Sequence, residues 1–147
     1  MKSYTKYVWI IAVALCLTWL VNLSVKSEEK SLYEQLGGIK AITAVVDDFT
    51  ARVAADKRIN MFFAHTDIPH FKECFVNQLC EGTGGPCKYT CRSMKDAHAG
   101  MGVTTADFNA LVEDLVATLN QFKVGKTQQD ALLAILGPMQ KDIVEKQ

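Results

Sequence analysis

The apolar residues of this chain recur at helical spacing in four long stretches, each fenced by a start signal and a breaker. Ser31-Leu32-Tyr33-Glu34, Thr104-Thr105-Ala106-Asp107 and Thr127-Gln128-Gln129-Asp130 each set a hydroxyl three residues ahead of an acid. That arrangement satisfies the free N–H groups of a helix's first turn. Asp67-Ile68-Pro69 adds a start with proline in the first turn. The pattern predicts a very short helix over 32–36 ending at Gly37-Gly38, a turn over 58–63, and long helices over 39–55, 69–81, 106–122 and 128–145, the last kinked at Gly137-Pro138. Ile39, Ile42, Val45, Val46, Phe49 and Val53 form one stripe, and Phe71, Phe75 and Leu79 another with Cys74 and Gln78 beside it. Phe108, Leu111, Leu115, Leu119 and Phe122, then Leu132, Leu136, Met139 and Ile143, mark the last two. No segment alternates like a strand, so the domain reads as an all-α bundle.

A second element precedes it. Tyr7 to Val25 is 19 residues without a charge. As a helix it spans about 28 Å, close to the hydrocarbon thickness of a bilayer. Trp9 and Trp19 lie towards its two ends. Lys2 and Lys6 precede it, while Lys26 is followed by Glu28 and Glu29, which favours a cytoplasmic N-terminus and an exported domain. The boundaries read as 1–27 for a signal anchor and 28–147 for the globular domain, with a cleaved secretory signal as the alternative. The apolar run is longer than most signal cores and lacks an Ala-x-Ala exit, which favours the anchor.

Without Lys2, Lys6 and Lys26 the domain carries 13 basic and 16 acidic side chains, a net charge of −3. The basic residues form no stripe, which excludes nucleic acid as a partner. Cys74, Cys80, Cys87 and Cys91 have neither zinc-ribbon nor Cys-x-x-Cys-His spacing, so they read as buried thiols or as one disulfide pair.

His98 stands in a breaker-rich run, Gly84 to Gly102, with one short helical stretch inside it. Imidazole is the commonest protein metal donor, and a short segment between glycines can aim one into a cavity built by longer helices. A solvated or core histidine fits the same residues. Phe49, Phe62, Phe63, Phe71 and Phe75 make a heavy aromatic load between residues 49 and 75. Core packing explains it, and so does one wall of a site for a flat apolar cofactor.

Five segments, in this order, resemble the group I truncated haemoglobins: Leu32-Tyr33-Glu34-Gln35-Leu36-Gly37-Gly38, Val45-Val46-Asp47-Asp48-Phe49, Phe62-Phe63, Gly84-Gly85-Pro86, and Arg92-Ser93-Met94-Lys95-Asp96-Ala97-His98. The resemblance covers residues 31–145. It implies a two-over-two helical sandwich with haem b between the layers, the helices at 39–55 and 69–81 over those at 106–122 and 128–145. It also implies that His98 is the proximal iron ligand, its second ring nitrogen held by Asp96 or by a nearby carbonyl. Arg92 and Lys95 are then expected to pair with haem propionates, Met94 to line the proximal side, and Phe49, Phe63, Phe71, Phe75 and Leu79 to line the pocket.

The sequence departs from the family on the other side of the iron. After Val45-Val46-Asp47-Asp48-Phe49 the family usually has a tyrosine whose hydroxyl reaches the bound gas; this chain has Thr50, which is too short to reach it. Positions that often carry glutamine are Phe71 and Phe75, with Gln78 one turn further on. The expectation is looser oxygen binding than in members with the tyrosine, and less discrimination against carbon monoxide. His65, His70 and Cys74 are weaker choices for a sixth iron ligand.

The resemblance implies reversible binding of oxygen, nitric oxide or carbon monoxide, with an unidentified reductase as partner and the membrane engaged through residues 7–25. The alternatives are a nitric oxide dioxygenase or peroxidase-like enzyme, a membrane-tethered b-type redox or gas-sensor module, and a helical interaction domain without cofactor.

Overall fold

The computed structural model describes residues 29–146, so the apolar run at 7–25 and the 1–27 boundary lie outside the described residues. Among the described residues no helix is long and apolar enough to cross a membrane. The chain folds as α1 (Leu32–Gln35), α2 (Gly38–Ala55), a 3-10 turn (Asn60–Phe63), α3 (Ile68–Gly82), α4 (Met94–His98), α5 (Thr105–Gln121), α6 (Lys126–Leu136), a second 3-10 turn (Gly137–Met139) and α7 (Gln140–Ile143). The only extended pairing among these residues is an isolated bridge between Thr104 and Lys146. The all-helical reading holds.

Three of the four helix starts work as their sequences predict. Ser31 and Glu34, and Thr104 and Asp107, form reciprocal capping boxes, and the Asp67 side chain accepts from the His70 N–H. Thr127 does not cap. Gly125 is the N-cap of α6, and its carbonyl already accepts from the Gln129 N–H at 3.0 Å, which puts Thr127 inside the first turn. The buried Gln129 side chain donates to Asn120 Oδ1 and to the Val124 carbonyl, both at 2.9 Å, and so fixes that start.

The final helix, expected as one kinked rod over 128–145, is three pieces. Pro138 has no N–H to offer. The chain therefore tightens to a 3-10 turn over Gly137–Met139 before one more helical turn. Beyond Ile143 it extends beside residues 103–105, with Glu145 N–H donating to the Val103 carbonyl at 2.9 Å.

The main core lies where α2 packs on α3 and α5. Val46, Phe49, Val53, Leu79, Leu119 and Leu132 are its buried centre. Burying a side chain such as Phe49 or Leu119 contributes about 1.5–3 kcal/mol, so this stripe outweighs any single cap. Two stripe residues are exposed, because both sit at the ends of their helices: Ile39 is 40% exposed and Phe122 41%. A second cluster, Val103, Phe108 and Ile143 with Met94 and Met139 against it, supports α4 from below, and Phe62 packs against both clusters.

The thiols correct the sequence expectation twice over. All four cysteines of the domain are paired, Cys74 with Cys91 and Cys80 with Cys87. The first bond ties α3 to the segment leading into α4. The second closes the turn after α3, where Gly85 comes so close that a Cβ there would lie 2.8 Å from the Cys80 carbonyl oxygen and 2.6 Å from the Tyr33 ring. Only glycine fits at 85, while Gly84 takes a left-handed φ of 85°.

Candidate functional site

α4 is a single short helix whose sequence is almost wholly concerned with its ends. The Ser93 hydroxyl accepts from the Asp96 N–H at 3.1 Å and donates to the Asp96 carboxylate at 2.6 Å. Upstream, Tyr89 donates its hydroxyl to the Arg92 carbonyl at 2.5 Å, and its own N–H goes to the Glu81 carboxylate at 3.0 Å. The Tyr89 N–H, and then the Lys88 ammonium, hold the Glu81 carboxyl below the ordinary glutamate range. A breaker-rich segment is thereby fixed ahead of the helix.

His98 closes α4 and is half-buried. Its Nδ1 lies 2.7 Å from the Met94 carbonyl oxygen, one helical turn back. A carbonyl can only accept, so Nδ1 is the donor, and in the neutral ring Nε2 is the nitrogen with the lone pair. Of the two holders the sequence allows, the carbonyl has the ring and Asp96 is engaged with Ser93.

The loop after His98 is tied down from the far end of the chain. Glu145 accepts from the Gly100 N–H at 2.6 Å and from the Gly102 N–H at 2.5 Å. These two donors lower its carboxyl from the ordinary glutamate value. A carboxyl lowered in the folded state adds stability above its unfolded pKa and loses that contribution as pH falls through the lower folded value. The strap is therefore expected to persist at neutral and mildly acidic pH. Glu145→Gln should raise hydrogen exchange at the Gly100 and Gly102 amides at pH 7 and flatten its pH dependence below pH 4.5. Unchanged exchange at both amides would rule the strap out.

The aromatic residues do meet. Phe49 and Phe75 centroids are 5.2 Å apart, Phe63 and Phe71 5.4 Å in an edge-to-face contact, and Phe71 and Phe75 6.0 Å. Phe49 is buried, whereas Phe63, Phe71 and Phe75 are half-buried, so the cluster keeps an accessible side. Thr50 is buried beside Phe49 in α2, and its hydroxyl donates to the Val46 carbonyl at 2.6 Å. Its proton is thus directed along the helix. Gln78 Nε2 donates to the Met139 sulfur at 3.1 Å and the Met94 sulfur at 3.5 Å, which joins α3 to α4 rather than offering a polar group to a pocket.

Leu79 is 2% exposed and belongs to the same core cluster as Phe49, where with Ile42, Val45, Leu119 and Leu132 it lines a cavity of about 20 Å³. Arg92 and Lys95 are exposed and make no salt bridge among the described residues. Met94 packs in the second cluster. His65 and His70 are exposed. Cys74 is held in its disulfide, which removes it as a thiolate ligand for iron in this state and corrects that option.

Residues 31–145 match the bacterial-like globin family. A group 1 truncated haemoglobin of Tetrahymena pyriformis is 32% identical over 82% of this chain and 99% of its own length. The corresponding protein of Mycolicibacterium paratuberculosis is 31% identical over 80% and 87%. This chain belongs to the group 1 truncated haemoglobins. The fold agrees: the Fe(III) crystal structure of the Tetrahymena pyriformis protein superposes with a TM-score of 0.75 at 33% identity, covering 78% of this chain and 98% of that one. A Synechococcus 2/2 haemoglobin, solved in the cyanomet state with covalently attached haem, gives 0.74 at 34% identity over the same shares.

Globin membership implies haem binding, and the residues of this truncated haemoglobin suit it. They supply one imidazole oriented through Nδ1, a half-buried aromatic cluster, and two exposed cations, Arg92 and Lys95, on the α4 segment. Sequence reasoning singled out His98 and the aromatics, which the fold places as described, but gave no signal of Glu145 or of the Gln78 link to Met139. Both join residues far apart in the chain, and no spacing rule reports such contacts. Even for the cysteines, four residues allow three pairings and nothing in their spacing chooses one.

Proposed function

We propose that this truncated globin holds haem b through His98 Nε2 and reversibly binds a diatomic gas: oxygen, nitric oxide or carbon monoxide. The observation that carries the proposal is the His98 ring, fixed in the Nδ1–H tautomer by the Met94 carbonyl and so preset to donate Nε2. The haem iron supplies the gas-binding valence. Met94 fixes the imidazole, Arg92 and Lys95 pair with the propionates, and Phe49, Phe63, Phe71 and Phe75 keep water from the gas. Thr50 offers that gas no hydrogen bond, because its proton goes to Val46. Dioxygenation of nitric oxide needs a long-lived oxygen complex, which an unpolarised pocket shortens, so carriage or sensing fits better than turnover.

An optical spectrum of the purified ferrous protein, with and without carbon monoxide, tests this reading. The expected result is a five-coordinate ferrous spectrum converted by carbon monoxide to a six-coordinate one. No Soret band after haem supplementation would instead establish a cofactor-free helical domain. A six-coordinate ferrous spectrum before gas is added would establish a bis-ligated redox or sensor module.

We also propose that residues 7–25 anchor the domain on the outer face of a membrane, where a reductase keeps the iron ferrous. The uncharged run and the lysines before it support the anchor. Two disulfides in a small domain support an oxidising compartment. Recovery of the full chain in the soluble fraction with Cys74, Cys80, Cys87 and Cys91 all reduced would contradict this placement.

A further inference from the structure

His70, Cys74 and Cys91 form the one cluster of three metal-type donors among the described residues, with ligand atoms all within 4.8 Å of one another. His70 and Cys74 are one turn apart on α3, which puts both side chains on the same helix face. Cys91 arrives from the segment that leads into α4. In the folded protein the two sulfurs are bonded to each other. We propose that reduction of the Cys74–Cys91 bridge by a dithiol converts this cluster into a binding site for a thiolate-preferring divalent cation of the zinc class.

The distances suit a chelate. A tetrahedral zinc with Zn–S of about 2.3 Å and Zn–N of about 2.05 Å sets its sulfur and nitrogen ligands about 3.6 Å apart. His70 Nε2 lies 3.5 Å from Cys74 Sγ. Two sulfur ligands stand about 3.8 Å apart in the same geometry. The Cα atoms of Cys74 and Cys91 are 5.9 Å apart, which the two thiolates can accommodate by side-chain rotation with the backbone in place. His70 is exposed and both cysteines are half-exposed, so the cation, the reductant and a water for the fourth position all have access.

The chemistry balances. The dithiol gives up two electrons and two protons, the S–S bond breaks to two thiols, and the dithiol becomes a disulfide. The cation then displaces both thiol protons as it binds. The Cys80–Cys87 bridge does not share this property, because Cys80 is fully buried and no third donor joins that pair among the described residues. The bridge ties α3, which carries Phe71 and Phe75, to the strand of chain that ends in α4 and His98. Reduction releases that tether, and the cation restores it. None of this depends on haem.

The full chain, reduced with dithiothreitol and desalted without air, should take up about one equivalent of Zn²⁺ in competition with a chromogenic chelator, whereas the oxidised chain takes up none. Cd²⁺ should give a thiolate-to-metal absorption in the ultraviolet. His70→Ala should weaken Zn²⁺ binding about tenfold or more, since even the loss of a group that only orients a ligand costs that much. The Cys74→Ser/Cys91→Ser double variant should abolish binding although Cys80 and Cys87 remain. The proposal fails if the reduced chain, with its thiols counted, binds no Zn²⁺, if His70→Ala binds as tightly as the parent, or if the double variant still binds. Collapse of the helical circular dichroism on reduction would also overturn it, because no folded site would then remain to be filled.

Discussion

His98→Ala is expected to lose stable haem, with affinity falling roughly 100-fold or more, because disturbing a group that merely orients a metal ligand already costs 10- to 100-fold. The structure makes the expectation specific. His98 is half-buried, and its ring is aligned by the Met94 carbonyl at 2.7 Å. In the neutral ring its other nitrogen carries the lone pair, so the variant removes an oriented donor. The Ser93 cap and the second cluster around Met94 do not involve the imidazole, so α4 should remain folded. The helical circular dichroism of His98→Ala should therefore match the parent while the Soret band is lost or shifted. Free imidazole should restore the spectrum of His98→Gly, in which a cavity replaces the ring. A His98→Ala protein with full haem content and an unchanged spectrum would reject His98 as the ligand.

His98 stands out in the sequence for a different reason than the fold does. Helix positions follow from periodicity and from caps that act within a few residues, which is why Ser31, Asp67 and Thr104 were all found at their helix starts. Thr127 failed because the hydroxyl-x-x-acid pattern is local, whereas the start of α6 is set by Gln129 reaching Asn120 and Val124. The site shows the same division. Residue types and the order of motifs pointed to His98 and the phenylalanines. The Glu145 strap, the Gln78 link to Met139 and the cysteine pairing depend on where α3, α4 and the chain end meet, and only packing decides that. The stripe on α3 grades in depth: Leu79 is buried in the core cluster that also holds Phe49, while Phe71 and Phe75 on the same helix pack against that cluster and stay half-buried.

Thr50 carries the second large effect. A donor to the partly negative oxygen bound by a haem is worth about 1.5–3 kcal/mol, or roughly one to two decades in affinity. The Thr50 hydroxyl already donates to the Val46 carbonyl at 2.6 Å, so it contributes no such bond. Thr50→Val should therefore leave the oxygen dissociation rate within about twofold, since it removes only a bond internal to α2 and keeps the β-branched shape. Thr50→Tyr should slow oxygen release by about 10- to 100-fold, with carbon monoxide much less affected because its bound form carries little negative charge. Thr50 is buried and so is its neighbour Phe49, so the larger side chain has to be accommodated by its surroundings. Haem content and circular dichroism of the tyrosine variant must accordingly match the parent before its rates are compared. Slow oxygen release in the parent that Thr50→Val leaves unchanged would show that some other group polarises the bound gas. A parent that releases oxygen quickly, slowed by tyrosine and indifferent to valine, places the weak hold on oxygen in the loss of one phenol at position 50.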